Sequence, residues 1–121
     1  MSIAGFGLRQ AATVDSLRSA LSKVDAGGVT AIATPADKAD FVAIQSLAKA
    51  LGVRVIAVSE ADLTAQRTAT NSARVQQMRG TGSVAEAAAL AAAGTDARLT
   101  APRVVSDDRM ATCAIALENR R

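Results

Sequence analysis

The stretch GTGSVAEAAALAAAG, residues 80–94, decides the fold. Ser83 followed three residues later by Glu86 is a capping box, which predicts the beginning of a helix. Gly94 follows the last good helix former, where a left-handed residue commonly ends a helix. The single charge between these ends is that of Glu86, and a helix that is apolar nearly all round is a buried one. We therefore expect a buried helix on which the domain packs, with a first candidate site at its glycine-rich beginning.

The composition restricts the class of protein. With 121 residues, the chain is long enough for one domain with its own core, which we assign to residues 1–121. It contains no His and one cysteine, which excludes the commonest general base, an internal disulfide and every multi-cysteine metal motif. We expect no metal and no other cofactor, and we expect the thiol of Cys113 to be buried and inert.

The charge balance favours anionic partners. The 14 basic and 11 acidic residues leave a net charge of +3, and only 2% of the residues are aromatic. Nucleic-acid platforms usually combine basic residues with aromatic side chains that stack on bases, so we do not expect nucleic-acid binding. No segment approaches the roughly 18 uninterrupted apolar residues of a membrane span, and the first residues lack the pattern of a signal peptide. The sequence predicts a cytoplasmic protein.

The first half of the chain alternates strands and helices. A short strand begins at Ser2 and breaks within Gly5-Phe6-Gly7-Leu8-Arg9, because alternating glycines permit a tight strand exit. Thr13 or Asp15 then caps a helix with apolar residues at three- and four-residue spacing. The next predicted elements are a strand at 29–33, a turn at 34–38, a helix at 40–51 and a strand at 53–58. A short helical piece capped by Ser59 follows.

The second half closes with a predicted β-hairpin. Residues 64–71 predict an exposed loop, after which Asn71 or Ser72 caps a further helical turn. Beyond the helix at 80–94, residues 97–105 predict a strand in which Pro102 marks an edge or a bulge. A turn at 106–108 and a strand at 110–117 complete the hairpin. The order predicts a single α/β domain: a mixed, mostly parallel β-sheet with helices on both faces and a C-terminal β-hairpin.

Several motifs resemble the CobE family, which is equivalent to the C-terminal domain of the cobalamin biosynthesis protein CbiG. The most specific match is Gly82-Ser83-Val84-Ala85-Glu86-Ala87-Ala88-Ala89-Leu90, and the others are Gly5 to Arg9, Ala33 to Ala39, Pro102-Arg103 and Ala114 to Ala116. The family commonly has Lys where Arg103 stands, and a serine after proline where this chain has Asn71-Ser72. The resemblance implies a role in building the corrin ring. Full-length CbiG proteins are similar to hydrolases that open a lactone on a precorrin-5-type intermediate, and this chain resembles their C-terminal module.

Three junctions suit a ligand that carries many carboxylates, as a corrin intermediate does. Each combines glycines or a helix beginning with a basic neighbour, and backbone N–H groups and guanidinium groups bind carboxylates there. Junctions at the carboxyl ends of parallel strands share one edge of the sheet, where ligands bind. The first two candidate sets are Gly5, Gly7 and Arg9, and Thr34, Asp37 and Lys38. The third is Gly80, Gly82 and Ser83 beside Arg79, and Arg103 is added by the resemblance.

Glu86 is the candidate catalytic residue, and two interpretations stay open. A glutamate in a capping box commonly serves the helix alone, whereas a carboxylate held against an apolar helix can act as a base or orient a substrate. Arg9 and Lys38 are either anion ligands or solvated surface charges.

Three functions fit these residues. The first is a protein that binds a precorrin intermediate and assists or contributes to its modification. The second is a non-catalytic module that docks onto other cobalamin-pathway enzymes. The third is a small enzyme that uses Glu86 or Lys38 directly. We favour the first, with binding better supported than catalysis, because the sequence contains no self-sufficient hydrolytic apparatus.

Overall fold

The structure, a computed structural model, describes residues 2–24, 28–63, 81–94 and 97–117, with the backbone alone for residues 81–83 and 101–103. The strands are β1 (Ser2–Leu8), β2 (Val29–Pro35), β3 (Arg54–Val58), β4 (Arg98–Val105) and β5 (Ala111–Leu117), and the helices are α1 (Val14–Val24), α2 (Val42–Leu51) and α3 (Thr81–Ala93). A 3-10 turn, Ala36–Lys38, follows β2, and one helical turn at residues 60–63 follows β3. The predicted loop at 64–71, its cap at Asn71 or Ser72, and Arg79 and Gly80 lie outside the described residues.

The strands form one sheet in the order β3-β2-β1-β5-β4. β1 pairs with β2, and β2 with β3, in parallel, whereas β5 runs antiparallel to both β1 and β4. Strands β1 to β4 therefore point in one direction and β5 in the other. The predicted α/β class, with its mostly parallel sheet and C-terminal hairpin, is confirmed.

The helices cover both faces of the sheet, as predicted. On one face, α1 and α2 pack against β1, β2 and β5 through a cluster that includes Phe6, Leu17, Ile44 and Leu47. On the other face, α3 packs against the same strands through a cluster that is rich in alanine and also includes Ile3. Most described positions of α3 are buried, which confirms the prediction of a buried helix. The thiol of Cys113 is also buried, as predicted.

Gly5 lies inside β1, and the predicted break of the strand at residues 5–9 is wrong. The ladder to β5 continues to Leu8, which pairs with Ala111, so pairing holds the backbone extended through both glycines. A Cβ atom on Gly5 would lie 2.6 Å from the backbone nitrogen of Ala89 and closer still to the carbonyl oxygen of Ala85. The glycine thus permits the close approach of α3 to the sheet instead of forming a loop.

The capping box lies on α1, not on α3. The Ser16 N–H donates to Thr13 Oγ1 over 3.3 Å, and the Thr13 N–H donates to Ser16 Oγ over 3.1 Å, so Thr13, one of the two predicted caps, is the cap of α1. α3 is already helical at Thr81, two residues before Ser83. Because an N-cap residue has non-helical backbone angles, Ser83 cannot be the cap, and the capping box predicted with Glu86 is wrong.

Pro35 ends β2 two residues beyond the predicted end of that strand. It pairs with Val58 of β3, whereas the β1–β2 register ends at the pair Gly5 and Ala33. Pro35 has no N–H with which to extend the ladder towards β1. The hydroxyl of Thr34 donates instead to the carbonyl oxygen of Phe6, over 3.2 Å, where the two strands separate.

The remaining boundaries lie close to the predicted ones. Phe41 precedes α2, which begins at Val42 instead of residue 40 and ends at Leu51, followed by Gly52 with a left-handed backbone. Gly94 also has a positive φ, of 100°, and its N–H donates to the carbonyl oxygen of Leu90. β4 is an edge strand with register shifts around residue 102, as Pro102 predicts.

Candidate functional site

The candidate site lies at the carboxyl ends of the parallel strands. α1 begins on one face of the sheet, shortly after β1 ends. α3 ends close to the start of β4, where Arg98 pairs with Leu117 and Leu117 pairs with Ser2. The C-terminal end of α3 is therefore at the amino edge of the sheet, and its N-terminus lies towards the carboxyl edge on the other face. Two helix N-termini, each with a partial positive charge, thus flank the carboxyl end of β1.

The predicted residues of β1 divide into structural and exposed groups. Gly5 and Gly7 are buried in the strand, where Gly7 pairs with Thr112, and neither forms a loop. Arg9 is exposed directly after the strand. Its N–H donates to the carbonyl oxygen of Met110 over 2.8 Å, and its own carbonyl oxygen accepts from Ala12. The backbone of Arg9 is therefore held on both sides while its side chain faces solvent.

The residues after β2 border a small cavity of about 230 Å³ between the ends of β2 and β3. Its lining is Pro35, Ala36, Asp37, Val58, Glu60 and Leu63. Sites for drug-sized ligands usually exceed about 300 Å³, so this cavity suits one substituent and not a macrocycle. Two residues of the lining, Asp37 and Glu60, are exposed acidic residues, and their like charges disfavour an anionic substituent beside them.

Thr34 and Lys38 are both engaged within the protein. The Thr34 side chain is fully buried, and its hydroxyl donates to the Phe6 carbonyl. The Lys38 ammonium lies 4.9 Å from the centre of the Phe41 ring, a cation–π arrangement that leaves the charge near the carboxyl edge. Lys38 is partly exposed, so it can still reach an anion at this edge.

The third predicted junction is described through its backbone. Gly82 and Ser83 lie in the first turn of α3, towards the carboxyl edge, and Gly80 lies outside the described residues. The backbone of Arg103 lies in β4, the far edge strand, with β5 between it and β1. The structure therefore brings Arg9 and the beginning of α3 to one edge, with Arg103 on a separate strand.

Glu86 lies within α3, and its side chain is only 9% exposed. It is the sixth residue of the helix, beyond the first turn, so it does not fill the capping position predicted for it. Glu86 is engaged in a further polar interaction, so it is not without a partner.

Asp108, which sequence analysis treated only as a turn residue, joins the hairpin to α1. Its carboxylate accepts hydrogen bonds from the hydroxyls of Ser16 and Ser106, each over 2.6 Å, and from the N–H of Met110 over 3.0 Å. These hydrogen bonds, first that from Ser106 and then that from Ser16, lower the pKa of Asp108 from its usual value of 3.8. The same Met110 accepts from the Arg9 N–H, so the segment between β1 and α1 is anchored to the hairpin at both ends.

Arg109 and Glu60 also lie at this edge, but the sequence did not predict either of them as a site residue. Arg109 is an exposed residue of the hairpin turn, adjacent to the Met110 that binds the backbone of Arg9. Glu60 follows β3, and the rule that selected the junctions after β1 and β2 applies equally to that position. No comparable signal identifies Arg109, because its place depends on the pairing of β5 with β1.

The described residues hold neither a metal-binding cluster nor a membrane-spanning helix. No group of three or more His, Cys, Asp or Glu side chains in that part of the chain could hold a metal ion. Nor does any helix there have the length and apolar character needed to cross a membrane.

Comparisons with known proteins agree with the fold. Residues 2–116 match the family described as cobalamin synthesis G C-terminus. The cobalamin biosynthesis protein chiG from Agrobacterium tumefaciens strain C58 is 35% identical with a TM-score of 0.79, and the match covers 99% of this chain and 100% of that one. CobE, a protein from the cobalamin (vitamin B12) biosynthetic pathway, is 30% identical with a TM-score of 0.76, covering 99% and 93% of the two chains.

A third solved structure shares the fold alone. A cobalamin biosynthesis protein G homolog from Sulfolobus solfataricus is 19% identical with a TM-score of 0.72, and the match covers 98% of this chain but 37% of that longer one. No curated protein sequence matches the chain. The family match over nearly the whole chain and the two full-length structural matches lead to one conclusion: the chain belongs to the cobalamin synthesis G C-terminus family, the CbiG and CobE type of cobalamin biosynthesis protein.

Proposed function

We propose that this protein binds a carboxylate-rich precorrin intermediate of cobalamin biosynthesis and assists its modification, acting in the cytoplasm. The site we propose is the carboxyl edge of the sheet, between the beginnings of α1 and α3. The observation that carries the proposal is the convergence there of two helix N-termini with the exposed Arg9. Helix N-termini and guanidinium groups both bind carboxylates, and a macrocycle with acidic side chains presents several of them at once.

The charge distribution supports one orientation of such a ligand. The acidic residues Asp37 and Glu60 beside the cavity disfavour carboxylates, whereas the end of β1 carries Arg9 and lies beside the hairpin turn, where Asp107 is paired with Lys23 and Asp108 is hydrogen-bonded within the protein. We therefore propose that the carboxylate side chains of the ring lie over β1 and β5. A neutral part of the ligand would lie towards β2 and β3, where Pro35 and Leu63 provide apolar surface.

Titration with cobyrinic acid, a corrin with free carboxylate side chains, tests the proposal through the visible absorbance of the ring. We expect saturable binding at about 10–50 µM, within the range typical of working metabolite concentrations. Cobinamide, whose corresponding side chains are amides, is the matched control and should bind more weakly. No binding of cobyrinic acid, or equal binding of the two corrinoids, would contradict carboxylate recognition at this edge.

Docking onto other pathway enzymes is the second candidate. The same fold occurs within the much longer Sulfolobus solfataricus chain, of which the match covers 37%. A fold that forms part of a larger polypeptide is compatible with a module that works together with other domains or enzymes. Stable co-elution with a pathway enzyme, combined with no affinity for cobyrinic acid, would favour docking over ligand binding.

The third candidate function is direct catalysis by Glu86. Glu86→Gln keeps the size of this buried side chain and removes its charge. Pathway complementation that is unchanged in the variant would exclude the catalytic role. Lost complementation in a variant that folds and still binds cobyrinic acid would support it.

A further inference from the structure

We infer that Arg109 is a second anion-binding residue, which acts together with Arg9 on a carboxylate of the same ligand. The inference rests on the function proposed above and adds a residue that neither the motifs nor the family match assigns. The Arg9 N–H donates to the carbonyl oxygen of Met110, the residue after Arg109, over 2.8 Å. The two arginines therefore belong to neighbouring backbone segments at the carboxyl edge, with the Arg9 backbone bonded to the residue that follows Arg109, and both residues are exposed.

The backbone of Arg109 has a conformation that favours glycine. Its φ is 63°, and within the described ranges it is the one residue other than glycine with a positive φ. The left-handed region costs free energy for a residue with a Cβ atom, and glycine, asparagine or aspartate fill it more easily. A long cationic side chain at such a position indicates a use for the side chain, since strained residues cluster at functional sites.

The surrounding turn holds this strained conformation in place. The Arg109 N–H donates to the carbonyl oxygen of Ser106 over 2.9 Å, and the hydroxyl oxygen of Ser106 accepts from the N–H groups of Met110 and Ala111. Asp108 adds its hydrogen bonds from Ser16, Ser106 and Met110. The direction of the Arg109 backbone is thus fixed before any ligand arrives, which lowers the ordering cost of binding.

The acidic neighbours of Arg109 are bound to other groups. Asp107 forms an ion pair with Lys23 at 2.8 Å, and Asp108 accepts from two serine hydroxyls. In the part of the chain that the structure describes, neither Arg9 nor Arg109 forms an ion pair. Two guanidinium groups without an ion-pair partner in that part of the chain, on neighbouring backbone segments, suit a carboxylate ligand, because bidentate arginine–carboxylate contacts are strong and directional.

Substitutions at Arg109 separate binding from folding. Arg109→Gly removes the guanidinium and relieves the left-handed strain, so we expect a melting temperature a few degrees higher and about tenfold weaker binding of cobyrinic acid. Arg109→Lys keeps the charge and should retain more affinity than Arg109→Gly. Arg98→Gln is the matched control, because Arg98 is an exposed arginine at the opposite end of the sheet, and its affinity should equal that of the wild type.

Each outcome has a distinct meaning. Weaker binding in Arg109→Gly with full stability, and unchanged binding in Arg98→Gln, would support the inference. Wild-type affinity in Arg109→Gly, alongside a loss in Arg9→Gln, would overturn it and leave the proposed function standing. An equal loss in Arg98→Gln would also overturn it, because the effect would then come from net charge. No binding by the wild-type protein would overturn the proposed function and this inference together.

Discussion

Replacing Gly5 with alanine tests how tightly α3 is packed on the sheet. Gly5 has no positive φ, so its backbone conformation suits alanine. In open surroundings the substitution would stabilise the protein by about 0.4–1 kcal/mol, because alanine lowers the entropy of the unfolded chain. The structure predicts instead that Gly5→Ala destabilises the protein.

The predicted cost follows from the distances around the new methyl group. It would lie 2.6 Å from the backbone nitrogen and 2.8 Å from the Cβ of Ala89, and closer to the carbonyl oxygen of Ala85. Favourable contacts need about 3.5–4.0 Å, so the helix would have to move by roughly 1 Å. Overpacking commonly costs about 1–3 kcal/mol, and we expect the upper end because backbone atoms cannot rotate away.

Urea unfolding of wild-type protein and Gly5→Ala measures this difference. We expect a loss of about 3 kcal/mol, or roughly 10 °C in melting temperature for a domain of this size. Gly28→Ala is a useful comparison, because Gly28 has φ 87° and, among the described residues, no atom lies within 4 Å of an added Cβ. Its cost is conformational only, about 1–2 kcal/mol. A stability of Gly5→Ala at or above that of the wild type would refute the close packing of α3 on β1.

Two other substitutions test the carboxyl edge. Asp108→Asn should lower the free energy of unfolding at neutral pH. The folded pKa of Asp108 lies below its usual value of 3.8, so the stability that its charged carboxylate contributes is present above pH 3.8 and is lost as the pH falls through the folded pKa. Unfolding in urea between about pH 7 and pH 3 should therefore show a weaker acid dependence in the variant, and an unchanged dependence would contradict the hydrogen bonds described for this carboxylate. Thr34→Val should cost about 1–3 kcal/mol, because it leaves the buried Phe6 carbonyl without its 3.2 Å donor. A variant as stable as the wild type would show that the strands close without this hydroxyl.

Much of the fold was predictable from local patterns. The alternation of apolar periods and punctuating glycines identified every strand and long helix that the structure describes, and Pro102 marked the irregular edge strand. The errors came from glycines and serines, whose roles depend on tertiary contacts. A local pattern such as Gly5-Phe6-Gly7 is compatible both with a loop and with a strand packed under a helix. Only the position of α3 distinguishes the two.

The site was less predictable, because it depends on which segments the sheet brings together. Arg9 was identified because it is the basic neighbour of Gly5 and Gly7, the glycines expected to end the first strand. The positions of Arg109 and Asp108 depend on the antiparallel pairing of β5 with β1, which joins residues about a hundred positions apart in sequence. The helix that contains Ser16 was predicted, but the hydrogen bond from Ser16 to Asp108 depends on the tertiary structure.

A crystal structure of the protein with cobyrinic acid bound tests the proposed site directly. We predict that the corrin lies across the carboxyl ends of β1 and β5, with its carboxylates on the guanidinium groups of Arg9 and Arg109 and near the beginning of α3. A corrin bound at the amino edge, or one whose carboxylates contact neither arginine, would contradict the account.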